Sequence, residues 1–153
     1  MKKALILSFI VLLCSLNISQ AQTDEEAIKA VILNMFDGMR AGDSAMVHNS
    51  FGKSVTFQRV RELSDGDSRI VNSNFDDFLK AIGTPHDKVS DEQIRFGTIQ
   101  IDGSMASVWT PFKFYFGEQF SHCGVNVFKL NKTKEGWKIF HLVDTNRKEN
   151  CDW

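Results

Sequence analysis

Two histidines, His122 and His141, an amide at Asn126 and three large aromatics, Trp109, Tyr115 and Trp137, are the side chains whose types could do chemistry. An imidazole titrates near neutral pH and can give or take a proton. An amide orients a ligand through hydrogen bonds, and aromatic rings supply apolar walls. Each also has a plainer reading: a strand histidine can be a hydrogen-bonded structural residue, and aromatics can decorate a solvated face. Asp144 and Arg147, three residues apart, could hold a polar ligand, but a surface ion pair between them is the simpler expectation. His86 and Asp87 follow Pro85 in a loop and carry no signal alone.

Other chemistries lack their spacing. His122 and Cys123 are adjacent, and His141 and Asp144 fall on opposite faces of a strand, so no metal-binding pattern forms. There is no glycine-rich phosphate loop and no nucleophile elbow. No metal and no cofactor is therefore expected. The formal charge is −1 with no basic stripe, and Arg59-Val60-Arg61 is too short to make one. Nucleic acid is not an expected partner, because phosphate contacts need clustered Lys and Arg. Of three cysteines, Cys123 and Cys151 form an even pair. They can be a disulfide or two independent thiols.

The elements that must position these residues follow from periodicity. Thr23 and Glu26 read as a capping box for a first helix. Ile28, Val31, Ile32, Met35, Phe36 and Met39 lie on one helical stripe, and Gly42 stops it. Asp43 caps a short second helix carrying Met46 and Val47. Residues 55–61 alternate as a strand, and a brief strand spans 69–71. Ser73 or Asn74 caps a third helix with Phe75, Phe78, Leu79 and Ile82 on one face. Strands are expected over 93–101, 105–116, 120–130 and 137–145, with turns at Asp102-Gly103 and Gly117-Glu118. Helices first and a strand meander after them predict an α+β domain, the helices on one face of a curved antiparallel sheet. Pro111 inside a strand suits an edge or a bend. Thirteen Phe against one Tyr suggest a broad aromatic core or a greasy cavity.

The turns set an expected register. A Gly117-Glu118 hairpin pairs Tyr115 with Phe120, Lys113 with His122 and Trp109 with Asn126. Pairing Leu130 with Trp137 then sets Asn126 opposite His141. One face collects Trp109, Lys113, Tyr115, His122, Asn126, Phe128, Trp137, Ile139 and His141, which has the mixed composition of a ligand pocket. The other collects Ala106, Val108, Thr110, Phe112, Phe114, Val125, Val127, Phe140 and Leu142, which reads as core or subunit interface. A slip of one residue would exchange the faces.

The N-terminus has a different character. Lys2 and Lys3 precede an apolar run over 4–16, and Ser19-Gln20-Ala21 offers a cleavage site. This is the layout of a signal peptide, shorter than the roughly 20 residues of a membrane-spanning helix. Leu13 before Cys14 is bulky where a lipidation signal takes Gly, Ala or Ser. The expected organisation is a signal peptide over 1–21 and one domain over 22–153, exported to a periplasm or secreted, with no integral membrane segment after cleavage.

Phe36-Asp37-Gly38-Met39-Arg40-Ala41-Gly42-Asp43, the stretch from Phe78 to Pro85, Phe120-Ser121-His122-Cys123-Gly124-Val125-Asn126, Gly136-Trp137-Lys138-Ile139 and Asp144-Thr145-Asn146-Arg147-Lys148 together resemble the nuclear transport factor 2-like superfamily. They resemble more closely its bacterial branch of putative lumazine-binding proteins, over essentially all of 22–153. The resemblance implies a cone-shaped, SnoaL-like fold around a pocket, often dimerising through its sheet. The superfamily hosts enzymes, binding modules and assembly domains, so the fold alone does not assign activity. The Asp base and Tyr donor of its steroid-isomerase relatives have no matching position; Tyr115 sits beside a hairpin turn. The favoured expectation is an exported, homodimeric binder of an unidentified small molecule, with Trp109, Tyr115, His122, Asn126, Trp137 and His141 at the site. The alternatives are a lyase or isomerase using a pocket histidine, and a dimeric assembly domain.

Overall fold

The computed structural model describes residues 23–152; the expected signal peptide and Trp153 lie outside the described residues. Residues 23–41 form the first helix, α1. Thr23 is already helical and so does not cap it. Gly42, with φ +68°, ends the helix in the left-handed conformation that a side chain disfavours. Asp43 then caps α2 (Ser44–Asn49), accepting a hydrogen bond from the Met46 amide at 2.9 Å. Asn74 caps α3 (Phe75–Gly83) by accepting from the amides of Asp76 and Asp77. These are ordinary N-cap geometries.

Seven strands follow the chain: β1 (Phe51–Glu62), β2 (Ser68–Ser73), β3 (Ser90–Ile94), β4 (Ile99–Asp102), β5 (Met105–Phe116), β6 (Gln119–Thr133) and β7 (Gly136–Thr145). They make one curved, unclosed sheet in the order β2-β1-β7-β6-β5-β3, with β4 also on β5. All pairs are antiparallel except β1 with β7. The single strand expected over 93–101 is two strands. Both pair with β5, and between them the amides of Arg95 and Gly97 still bond to the carbonyls of Pro111 and Trp109.

The hairpin turns stand where expected, with Gly103 and Gly117 at φ +57° and +63°. The register beyond them needs correction. Tyr115 pairs with Phe120, but Phe114 pairs with His122, leaving Ser121 as an extra residue. A second irregularity falls between β6 and β7: Leu130 pairs with Ile139 and Lys129 with His141, so Phe140 is extra. Each bulge inverts the alternation beyond it. Trp109 therefore pairs with Val127, Lys113 with Cys123 and Asn126 with Asp144.

The inner sheet face carries the core. Ile28, Ile32 and Phe36 of α1 pack with Val47, Ile82, Ala106, Val108, Phe128, Leu130, Trp137 and Ile139. Phe36 meets Phe128 edge-on, with ring centroids 6.1 Å apart. Phe75 and Phe78 of α3 contact Phe51 and Phe57 of β1, at 4.5 and 5.1 Å. Six phenylalanines, Phe36, Phe51, Phe57, Phe75, Phe78 and Phe128, thus join helices to sheet. Cys123 and Cys151 are disulfide-bonded, and paired backbone bonds between Cys123 and Arg147 lay the C-terminal segment beside β6.

Candidate functional site

Between α1, α3 and the inner sheet face lies a cavity of about 600 Å³. Met35, Phe36 and Met39 of α1 form one wall, and Phe78 and Ile82 of α3 another. Phe57, Phe114 and Leu142 line the sheet side. Exposed Ser73, Asn74 and Asp77 mark the rim.

Polar side chains from four strands meet inside it: Arg59 of β1, Glu92 of β3, His122 and Asn126 of β6, and Asp144 of β7. Arg59 and Asp144 are register partners on the parallel β1–β7 pair. Their side chains form a two-point ion pair, Nε to Oδ1 at 2.7 Å and Nη2 to Oδ2 at 2.5 Å. The planar guanidinium suits this arrangement. It places Asp144 with Arg59 rather than with Arg147, whose Nε bonds to the Asn150 carbonyl.

Asn126 is 4% exposed and donates through Nδ2 to Glu92 Oε1 at 2.6 Å. Burial pushes the Glu92 carboxyl up to about 7. The Asn126 hydrogen bond and the charge of Arg59 pull it down, while Asp144 and Asp91 push it further up. Glu92 thus exchanges a proton near neutral pH, which an ordinary carboxyl does not. His122 stands against Phe112 and Phe114, ring centroids 5.7 and 5.0 Å away, with Nδ1 3.0 Å from Ser121 Oγ. Burial lowers its pKa, and the charges of Arg59 and Lys148 lower it further against the opposing pull of Asp144. The imidazole is therefore held toward its neutral form.

Of the six expected site residues, His122 and Asn126 line the cavity. The other four lie elsewhere. Trp109 is half exposed on the opposite sheet face, because the bulge at Ser121 leaves Phe112 and Phe114, not Trp109 and Lys113, beside His122. Tyr115 packs on Phe120 at the hairpin end, at 5.7 Å. Trp137 is in the core, its indole nitrogen donating to Asp24 at 3.1 Å. The bulge at Phe140 puts Leu142 and Asp144, not His141, on the cavity face, and the His141 Nε2 lies 3.0 Å from Gln58 Oε1. Glu92 and Arg59 were not expected at the site. The signal for both is period two: Arg59 follows Phe57 on one face of β1, and Glu92 precedes Ile94 on one face of β3. Among the described residues, no group of three or more His, Cys, Asp and Glu is placed to hold a metal ion.

A family model described as putative lumazine-binding matches residues 23–143. The chain belongs to that family. Solved structures give this putative lumazine-binding chain the nuclear transport factor 2-like fold. A nuclear transport factor 2-like protein of unknown function from Shewanella baltica superposes with a TM-score of 0.65 at 17% identity, covering 83% of this chain and 96% of that one. One with a cystatin-like fold from Novosphingobium aromaticivorans gives 0.67 at 10% identity, covering 86% of each chain. A conserved protein from Planctomyces limnophilus gives 0.65 at 18% identity, covering 82% and 98%. At these identities the likeness shows fold alone. No curated protein matches the chain.

Proposed function

We propose that this member of the putative lumazine-binding family binds a small organic molecule in the cavity between α1, α3 and the sheet. The observation that carries the reading is the cavity's make-up: about 600 Å³, apolar walls on three sides, and five polar side chains converging on one end. Size and lining both suit a small-molecule site. The family's description supports a small ligand, and nothing in the lining selects lumazine itself. Native mass spectrometry of the protein purified from its own host reads any retained molecule directly. A bound species lost on His122→Ala and Asn126→Ala supports the site. A species retained by both variants places it elsewhere.

Export belongs to the same reading. Its supports are the charged and apolar leader over 1–21 and the Cys123–Cys151 bond, which suits an oxidising compartment. Fractionation of host cells tests it, and a cytoplasmic protein of full mass would remove it. Homodimerisation through the outer sheet face is supported by half-exposed Trp109 and by partly buried Pro111, Val125 and Val127 beside it. Sedimentation at micromolar concentration reads the subunit number.

Glu92 favours a second reading, a proton-transfer enzyme in which this carboxyl, rather than a histidine, carries the proton. If the retained molecule occurs as a pair of isomers, Glu92→Gln would bind both and stop their interconversion. Interconversion at an unchanged rate would sink this reading.

A further inference from the structure

We propose that the ligand carries a cationic nitrogen, a protonated amine or N-heterocycle, seated against Glu92 with its hydrocarbon body between Phe36, Phe78 and Phe114. This rests on the cavity-binding reading above and names the ligand's chemistry.

Charge and hydrogen-bonding capacity in the cavity are both unmatched. Three carboxylates line the cavity, Asp77, Glu92 and Asp144, against one guanidinium, Arg59. Arg59 is already committed to Asp144 through two hydrogen bonds, which cancels both charges locally. His122 adds no positive charge near neutral pH, because burial holds it neutral. What remains is negative: Glu92 inside, fully so above its pKa of about 7, and Asp77 at the rim.

The open valences have the same sign. Glu92 Oε1 accepts from Asn126, while no hydrogen bond to Oε2 forms among the described residues. Asn126, nine-tenths buried, spends its Nδ2 on Glu92 and leaves Oδ1 without a donor among those residues. A buried acceptor without a donor is costly, and Asn126 Oδ1, with the half-buried Glu92 Oε2 beside it in an apolar cavity, calls for a ligand that donates. A cationic N–H group supplies the donor and the charge together. An anionic ligand would face two uncompensated carboxylates and is selected against.

The same geometry couples binding to a proton. Glu92 is half protonated near pH 7, so a bound cation must displace that proton. The other charged or titratable groups facing Glu92 are Arg59 and Asp144 on the sheet, His122 on β6, Asp77 on α3, and Asp91, itself paired with Arg40 of α1. Burial lowers the pKa of His122, and its protonation at lower pH also disfavours a cation.

Three probes with one hydrocarbon body make the test: 2-naphthylmethylammonium, 2-naphthylmethanol and 2-naphthoate, titrated calorimetrically into the full-length protein at pH 8. The ammonium is expected to bind about tenfold tighter than the alcohol, the equivalent of one charge-assisted hydrogen bond. The naphthoate is expected to bind more weakly than either. Glu92→Gln should bring the ammonium to the alcohol's affinity and leave the alcohol unchanged. At pH 7, titrations in two buffers of different ionisation enthalpy should show net proton release for the ammonium alone. If the alcohol binds and the ammonium gains nothing, or the naphthoate binds tightest, the cavity reading stands and the cation proposal is overturned. If none of the three binds at millimolar concentration, the cavity reading falls and takes this proposal with it.

Discussion

The two halves of the inner sheet face are built from the same strands and end in opposite states. Along β6 the inward residues run Leu130, Phe128, Asn126, Gly124, His122. Opposite the first two stand Ala106 and Val108, and α1 covers them with Ile28, Ile32 and Phe36. Opposite the last three stand Thr110, Phe112 and Phe114; Asn126, His122 and Phe114 line the cavity, while Thr110 and Phe112 are buried beside it. The closed half is held by hydrocarbon. The open half is held by an ion pair, a disulfide and close backbone contact. At Gly124 a Cβ would lie 2.0 Å from the Thr145 carbonyl oxygen, so only glycine fits between β7 and the Phe112 ring. A site that keeps space for a ligand gives up packing and must be stiffened by other means.

The largest effect is expected in the closed half. Phe128→Ala removes a fully buried ring and should cost about 3–5 kcal/mol. Urea unfolding should show the midpoint fall with an unchanged slope. A loss under 1 kcal/mol would mean that this half is not the anchor and that the comparison is drawn in the wrong place.

The next effects belong to the open half. Cys123 adjoins His122, and its bond to Cys151 closes a segment with a sequence separation of 28. Cys151→Ser should cost about 3.6 kcal/mol by the chain-entropy argument. Hydrogen exchange should rise first at Cys123 and Arg147, whose amides bond to each other's carbonyls, and not at Val108. Uniform loss of protection would dissolve the distinction between the halves.

Arg59→Ala leaves Asp144 buried without its partner. Asp144 is 6% exposed, but the Arg59 side chain is about one-third open to solvent. The cost should therefore be about 2–3 kcal/mol, below that of a fully buried pair. The double variant Arg59→Met with Asp144→Leu should recover most of it, because it removes the orphaned charge. Failure to recover would show that the pair fixes strand register rather than balancing charge.

How much of this was legible in the sequence depends on the element. Helix stripes and hairpin glycines are local signals, and α1, α3 and the turns at Gly103 and Gly117 follow from them, whereas the starts of β1 at Phe51 and β3 at Ser90 do not. Ser121 and Phe140 carry no such mark. Neither is a glycine, and both sit in runs that alternate acceptably without a bulge. Yet each exchanges one strand's faces, which moved Trp109, Tyr115 and His141 out of the site. Trp137 was assigned to the correct face, but what lies above it is the N-terminal part of α1, through Asp24, and that is a tertiary fact. Arg59 was hidden because charged residues in strands are read as outward by default, and Glu92 because it lies just before the strand expected over 93–101, whereas β3 begins at Ser90. Their neighbours two residues away, Phe57 and Ile94, were the available hint.

The smallest expected effect has the opposite sign, and it sharpens the comparison most. Folding raises the Glu92 carboxyl from its ordinary 4.5 to about 7, so the folded state binds the proton more tightly than the unfolded one. Stability therefore falls as pH rises from about 4.5 to 7 and is level above that. The shift bounds the loss at roughly 3 kcal/mol. Glu92→Gln keeps an acceptor for Asn126 and has no charge to bury. It should match the parent near pH 4.5 and exceed it by about 1–2 kcal/mol at pH 8. His122, its pKa lowered, acts in the other direction: its contribution is present above pH 6.5 and is lost as pH falls. That contribution is common to both proteins, so the difference between their stability curves isolates Glu92. A more stable variant at pH 8 would show that the open half keeps a destabilising carboxylate in place, as a residue retained for a ligand should be. A variant less stable than the parent at pH 8 would make Glu92 a structural partner of Asn126, and the polar end of the cavity a strut.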